Sequence, residues 1–205
     1  MIFVIAGHNE RSQGALGYDG VYEHTRNVSL QRQVTLGLSS MSLSGTAMEV
    51  KTEDEDKSNA EVRDMIRRYA KPHSRGMDIH FNNNFPGATG TEVVISPYTS
   101  ENNRRRAEWT ARNLSLVMGI PVRRRADRDY IYPSETFVGR LPIIESTPIP
   151  MMLVEVCFQN DIDLPQYDEY RVSMVLRRAM LLEFEVMPPD IYFNDLNTQK
   201  HGKTI

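Results

Sequence analysis

Two apolar runs constrain this chain more than anything else in it. "IFVIA" at 2–6 and "MMLVEVCF" at 151–158 show no alternation of apolar and polar residues. A sheet with one wet face would alternate. A continuous run reads as a strand covered on both sides, the habit of parallel sheets flanked by helices. Each run also meets an ionisable residue that a core would not select: the first passes into Gly7, His8 and Asn9, and the second encloses Glu155. A third stretch, "DIHFNNN" at 78–84, puts His80 in the same position. Isolated charge in apolar surroundings is costly and persists when it is paired or bound to a metal.

Helical patterns fall between these runs. A poorly capped one covers 25–38, after a loop at 10–22 punctuated by Gly14, Gly17 and Gly20. Ser58 and Glu61 form a capping box, and Val62, Met65, Ile66 and Tyr69 then recur on one face until Pro72 stops the helix. Ser100 caps a third helix that runs to Met118, with Gly119 just past its end and Ala107, Ala111, Leu114 and Met118 inward. A fourth covers 166–186, with Val172, Val175, Ala179, Leu182 and Val186 inward. Further strands are predicted at 45–51, 77–81 and 91–98. The acidic run "TEDEDK" at 52–57 reads as a solvated loop. The expected fold is α/β: a single domain with a mostly parallel twisted sheet and helices on both faces. That domain spans 1–187, and 188–205, polar and aperiodic after Pro188 and Pro189, reads as a C-terminal tail or assembly arm.

Bulk properties exclude several classes. The 205 residues suit one domain, and 40% apolar with 25% charged content is ordinary for a globular protein. A net charge of -3 gives no overall basic footprint, so no nucleic-acid partner is expected. No apolar run approaches the ~20 residues of a membrane span. The first residues lack the charged and apolar regions of a signal peptide. The chain is therefore expected to fold in the cytoplasm unless other machinery exports it. A single cysteine excludes an internal disulfide.

In parallel α/β sheets, ligands gather at the carboxyl ends of strands. His8 and His80 both sit there, and a catalytic zinc takes about three protein ligands of histidine and carboxylate type plus water. The loop before the first helix offers Glu23 and His24 for the third place, and chemistry alone does not choose between them. Glu155 is then the candidate general base for a zinc-activated water.

These residues carry a resemblance. "GHNERSQGALGYDGVYE", "DIHFNNNFPGATGTEVVIS" and "IPMMLVEVCFQND" resemble, in that order, the three signature blocks of the zinc-dependent N-acetylmuramoyl-L-alanine amidases of the Amidase_3 type. The resemblance runs from about residue 2 to 186. It implies zinc on His8, Glu23 and His80, and a catalytic carboxylate on Glu155. It implies hydrolysis of the peptidoglycan amide joining N-acetylmuramic acid to the L-alanine of the stem peptide. It also places Asn82 beside the site, through the His-x-Asn block.

Three positions depart from the family pattern. Asp78 replaces the usual serine two residues before His80, and is a candidate to orient that ring, with a solvent-facing loop end as the alternative. Cys157 replaces the usual glycine two residues after Glu155. Two residues along the strand, it shares the Glu155 face, as a small buried filler or, in the sharper alternative, a nucleophile. The first block lacks the Asp-Pro and second glycine that often flank this histidine. Two arginine triplets, 104–106 and 123–125, have acidic neighbours and read as solvated faces, with an anion-facing patch as the alternative.

A compact, leaderless amidase looks like a phage product, either an endolysin released through a holin or a lytic component of the virion. It would act on the periplasmic or extracellular wall, and the tail is the candidate contact for a virion or oligomer partner. Two rival functions remain open: a non-catalytic virion structural protein that keeps this fold, and a zinc peptidase cutting within stem peptides.

Overall fold

A computed structural model describes residues 1–40, 42–43, 46–47, 50–52, 56–83 and 85–182. The strands are β1 (Ile2–Ala6), β2 (Ser42–Leu43), β3 (Thr46–Ala47), β4 (Val50–Lys51), β5 (Arg75–Asn82), β6 (Glu92–Ile95) and β7 (Met151–Phe158). The helices are α1 (Glu23–Ser39), α2 (Asn59–Tyr69), α3 (Glu101–Met118), α4 (Pro142–Glu145) and α5 (Glu169–Leu181).

Five strands form one sheet in the order β4-β1-β5-β7-β6. All neighbours are parallel except β6, which pairs antiparallel with β7. Every residue of β1 is buried, as expected for a strand covered on both faces. One face packs Val4, Ile79, Val93 and Val154 against α1, α3 and α5 through Leu30, Leu114 and Val175. The other packs Phe3, Ile5, Val94 and Leu153 against α2 and α4 through Val62, Ile66, Ile143 and Ile144.

The helix ends follow local chemistry. Ser58 and Glu61 make the reciprocal capping box, with the Glu61 N–H donating to Ser58 Oγ at 3.4 Å and the Ser58 N–H to Glu61 Oε2 at 2.9 Å. Tyr69 is 42% exposed, so the inward face of α2 narrows to the buried Val62 and Ile66 with the partly buried Met65 packed beside them. Ser100 caps α3, and Gly119 closes it at φ 70°.

Several predicted boundaries move. α1 starts at Glu23, two residues before the predicted position, with no side-chain cap to mark the start. α5 starts at Glu169 rather than 166, because Pro165 sits in a 3-10 turn and Asp168 supplies the cap by accepting from the Arg171 N–H at 3.0 Å. Leu182 lies just past its end, and Val186 lies outside the described residues. The strand predicted at 45–51 divides: Thr46–Ala47 pairs with β2 in a separate antiparallel ribbon, and only Val50–Lys51 joins the sheet. β6 stops at Ile95, short of Pro97, which has no N–H for a ladder. Residues 53–55 of the acidic run, and the tail at 188–205, lie outside the described residues.

Candidate metal centre

β1, β5 and β7 run parallel, so their carboxyl ends meet along one edge of the sheet. His80 on β5 stands beside Glu155 on β7, and Glu155 stands beside Glu92 on β6. His8 follows β1 directly and Glu23 opens α1.

Glu23 joins the two histidines. Its Oε2 lies 3.0 Å from His8 Nε2, and its Oε1 lies 2.9 Å from His80 Nδ1. The N–H groups of Ala15 and Phe81 each donate to this carboxylate at 3.2 Å. Burial alone would raise the Glu23 carboxyl, but hydrogen bonds from His8 and His80 outweigh it and hold the group well below the usual carboxylate range. Burial likewise opposes charge on His80. The Asp78 carboxylate, with Glu23 and Glu155, reverses that and raises the imidazole well above its ordinary value.

The local sequence is built for this packing. His8 sits at φ 66°, a left-handed conformation uncommon for a residue with a side chain. A Cβ on Gly14, itself at φ 74°, would stand 2.5 Å from Glu23 Oε2 and 2.7 Å from His8 Cδ2. A Cβ on Gly7 would stand 2.2 Å from His80 Nε2. Both positions therefore require glycine if the three side chains are to meet.

The donor set fits a zinc ion. One ligand atom from each of His8, Glu23 and His80 lies within 4.8 Å of the others. Bonds of about 2.0–2.1 Å in a tetrahedron place donors roughly 3.3 Å apart, within reach of that spacing. His24 stands apart from the cluster: its Nδ1 lies 3.1 Å from the Gly7 carbonyl, which also accepts from Asn27 Nδ2 at 2.9 Å.

Burial raises the Glu155 carboxyl from 4.5 to about 8, with His80 opposing and Glu23, Glu92 and Asp78 reinforcing. Its Oε2 is enclosed and has no hydrogen-bond partner among the described residues. A carboxyl left without a hydrogen bond beside His80 is placed to exchange protons rather than to hold structure.

Cys157 does not share the Glu155 face. The β5–β7 register pairs His80 with Glu155 but Asn82 with Phe158, so β7 carries one extra residue between them. This bulge turns Cys157 into the core packed by α1, α3 and α5, where burial pushes its thiol upward, away from the reactive thiolate. Asn82 is half-buried, and its carbonyl accepts from the Gln159 N–H at 3.1 Å.

Sequence reasoning missed the residues that tie the loops around this edge. The buried Asp163 accepts from the N–H groups of Gly90 and Phe158 and from Thr89 Oγ1. Asn160 Nδ2 donates to the carbonyls of Phe85 and Ala88, while its Oδ1 accepts from the Ile162 and Asp163 N–H groups. The only signal was an asparagine and an aspartate three residues apart after a strand, a common turn pattern. The arginine triplets also divide. Arg106 is buried and donates to the Ala179 and Leu182 carbonyls, a correction to its reading as a solvated residue. Arg123, Arg124 and Arg125 pair with Glu92, Asp129 and Glu135.

Residues 2–170 match the N-acetylmuramoyl-L-alanine amidase family, Amidase_3. The fold is similar to that of the N-acetylmuramoyl-L-alanine amidase of Clostridium difficile 630, with a TM-score of 0.72 at 15% identity over 91% of this chain and 97% of that one. The catalytic domain of CwlV, an N-acetylmuramoyl-L-alanine amidase from Bacillus (Paenibacillus) polymyxa var. colistinus, gives 0.69 at 20% identity over 91% and 98%. The catalytic domain of the CD27L endolysin, which targets Clostridia difficile, gives 0.65 at 18% identity over 88% and 96%. Among curated proteins no sequence matches.

Proposed function

The chain belongs to the N-acetylmuramoyl-L-alanine amidase family and is a peptidoglycan amidase; from that premise we propose a zinc hydrolase in which His8, Glu23 and His80 hold the ion and Glu155 carries the proton. The observation that carries this reading is one carboxylate bridging two histidines, with a second, unpaired carboxyl on the neighbouring strand.

When bound, the ion supplies a Lewis acid that polarises a carbonyl and makes water acidic near neutral pH. Glu23 neutralises part of that charge, while the N–H groups of Ala15 and Phe81 hold it in place. Glu155 accepts a proton from the attacking water, whose oxygen bonds to the lactyl carbonyl carbon. As the C–N bond breaks, Glu155 returns the proton to the departing L-alanine nitrogen. Enclosure holds Glu155 protonated in the metal-free chain; beside the charge of a bound ion that carboxyl is lowered so that it can accept the proton, and enclosure then favours its keeping the proton for the return step. Leu16, Tyr18, Phe85 and Ile162, exposed on the loops around the edge, offer apolar contact to the sugar and stem peptide.

The same reading extends to context: a wall-lytic role in phage release or infection, for which the fold shared with an endolysin catalytic domain is the support. A non-catalytic virion component would have no use for the unpaired Glu155. Metal analysis tests the core of the proposal. The wild type should carry one zinc per chain and His80→Ala should lose it; full occupancy in that variant, or none in the wild type, would sink it.

A further inference from the structure

Asp78 sits where the sheet gives a carboxylate no other reason to be. Its cross-strand neighbours are Ile5 on β1 and Leu153 on β7, and Leu153 is paired in turn with Val94 on β6. All three neighbours are buried, and Asp78 itself is 4% exposed. The next row toward the carboxyl edge holds His80, Glu155 and Glu92. Asp78 is thus the one charged position in an apolar row directly beneath the site. Its Oδ1 has no hydrogen-bond partner among the described residues, and its Oδ2 lies 3.3 Å from His80 Nε2.

We propose that Asp78 is a positioning residue: it accepts the Nε2–H of His80, fixes that tautomer, and so leaves the Nδ1 lone pair facing Glu23 and His8. The inference rests on the metal-site reading above. His80 has a carboxylate oxygen at each ring nitrogen, Glu23 Oε1 at 2.9 Å from Nδ1 and Asp78 Oδ2 at 3.3 Å from Nε2. A neutral imidazole carries its proton on one nitrogen only, and a carboxylate only accepts. Acceptors flank both nitrogens of the metal-free ring, so the choice falls to the ion: held among His80, Glu23 and His8 it would take the Nδ1 lone pair, and the remaining proton would lie on Nε2, where Asp78 accepts it. The ring cannot turn out of this arrangement toward β1, because it packs directly against Gly7, where even a Cβ would stand 2.2–2.5 Å from its atoms.

Asp78→Asn and Asp78→Leu, made in the full chain, separate positioning from structure. Zinc affinity, measured by competition with a chromophoric chelator, should fall about 10–100-fold in both. The metal-free melting temperature of Asp78→Leu should equal or exceed that of wild type, because a buried charge is replaced by an apolar residue in an apolar row. Nitrogen-15 NMR of zinc-loaded wild type should show His80 protonated on Nε2 and slow to exchange, and Asp78→Asn should lose that slow exchange. Zinc affinity within twofold of wild type in both variants would overturn the proposal, as would a His80 with its proton on Nδ1. Should the wild type take up no zinc, the metal reading falls separately. The Nε2 proton of the metal-free chain then decides: slow exchange that Asp78→Asn abolishes supports the positioning bond, and equal exchange in the two chains refutes it.

Discussion

Gly7→Ala should disable the site while leaving the fold standing. The added Cβ would lie 2.2 Å from His80 Nε2, 2.3 Å from Cε1 and 2.5 Å from Cδ2. Ordinary contact begins near 3.4 Å, so the ring or the Gly7 backbone must withdraw by 3.4 − 2.2, or 1.2 Å. The backbone is pinned: its N–H donates to the Ile79 carbonyl at 2.8 Å, and its carbonyl accepts from Asn27 at 2.9 Å with His24 Nδ1 at 3.1 Å. The ring must therefore move. Metal bonds tolerate about ±0.2 Å, so a shift of this size removes His80 as a ligand. Zinc affinity should drop by more than the roughly 100-fold at the upper end of outer-support effects. Overpacking should cost about 1–3 kcal/mol of stability. For a domain of this size each kcal/mol lowers the melting temperature by roughly 2–4 °C. Gly119→Ala is the matched control. Gly119 sits at φ 70° with nothing within 4 Å of its added Cβ. Left-handed strain of about 1–2 kcal/mol should lower its melt comparably and leave zinc binding intact. A Gly7→Ala protein with wild-type zinc affinity, or equal zinc loss in both variants, would refute the steric argument.

Glu155→Gln should keep zinc and lose about 10²–10⁴-fold in turnover. In the metal-free chain it should also melt higher than wild type by a margin that widens between pH 4.5 and about 8, because burial raises the folded carboxyl from 4.5 to about 8 and its contribution to stability is lost across that window. A constant margin, seen by calorimetry across that range, would contradict this. Cys157→Ala should leave turnover near wild type and lower the melt modestly, since the thiol is buried in the core; an inactive but folded, zinc-loaded variant would restore the nucleophile reading. Removing residues 190–205, which lack apolar periodicity in the sequence, should leave the melting temperature close to that of the full chain, and a drop of many degrees would show that the tail packs on the domain.

Much of this architecture was legible because burial on both faces leaves a blunt mark. The continuous runs at 2–6 and 151–158 became β1 and β7, and the ionisable residues interrupting such runs, His80 and Glu155, became neighbours on adjacent strands. Capping chemistry was equally direct at Ser58, Ser100 and Gly119. What failed depended on pairing rather than on local pattern. The extra residue in β7 is invisible until β5 is laid beside it, and it alone sends Cys157 into the core instead of toward Glu155. Arg106 belonged to a charged triplet, yet its position on α3 aims it at the end of α5, where free carbonyls need donors. The choice of Glu23 over His24 was open because both lie in the first turn of α1. The resemblance alone pointed to Glu23, and in the fold His24 lies against the Gly7 carbonyl while Glu23 reaches the two histidines.

The central claim is that the Glu155 carboxyl and a zinc ion held by His8, Glu23 and His80 cut one amide bond in peptidoglycan. Mass spectrometry of purified peptidoglycan after digestion with the zinc-loaded chain, run beside Glu155→Gln, tests it most directly. The account predicts glycan strands free of peptide and intact stem peptides that begin with L-alanine, and neither product from the variant. Stem peptides cut internally, or equal products from wild type and Glu155→Gln, would contradict it.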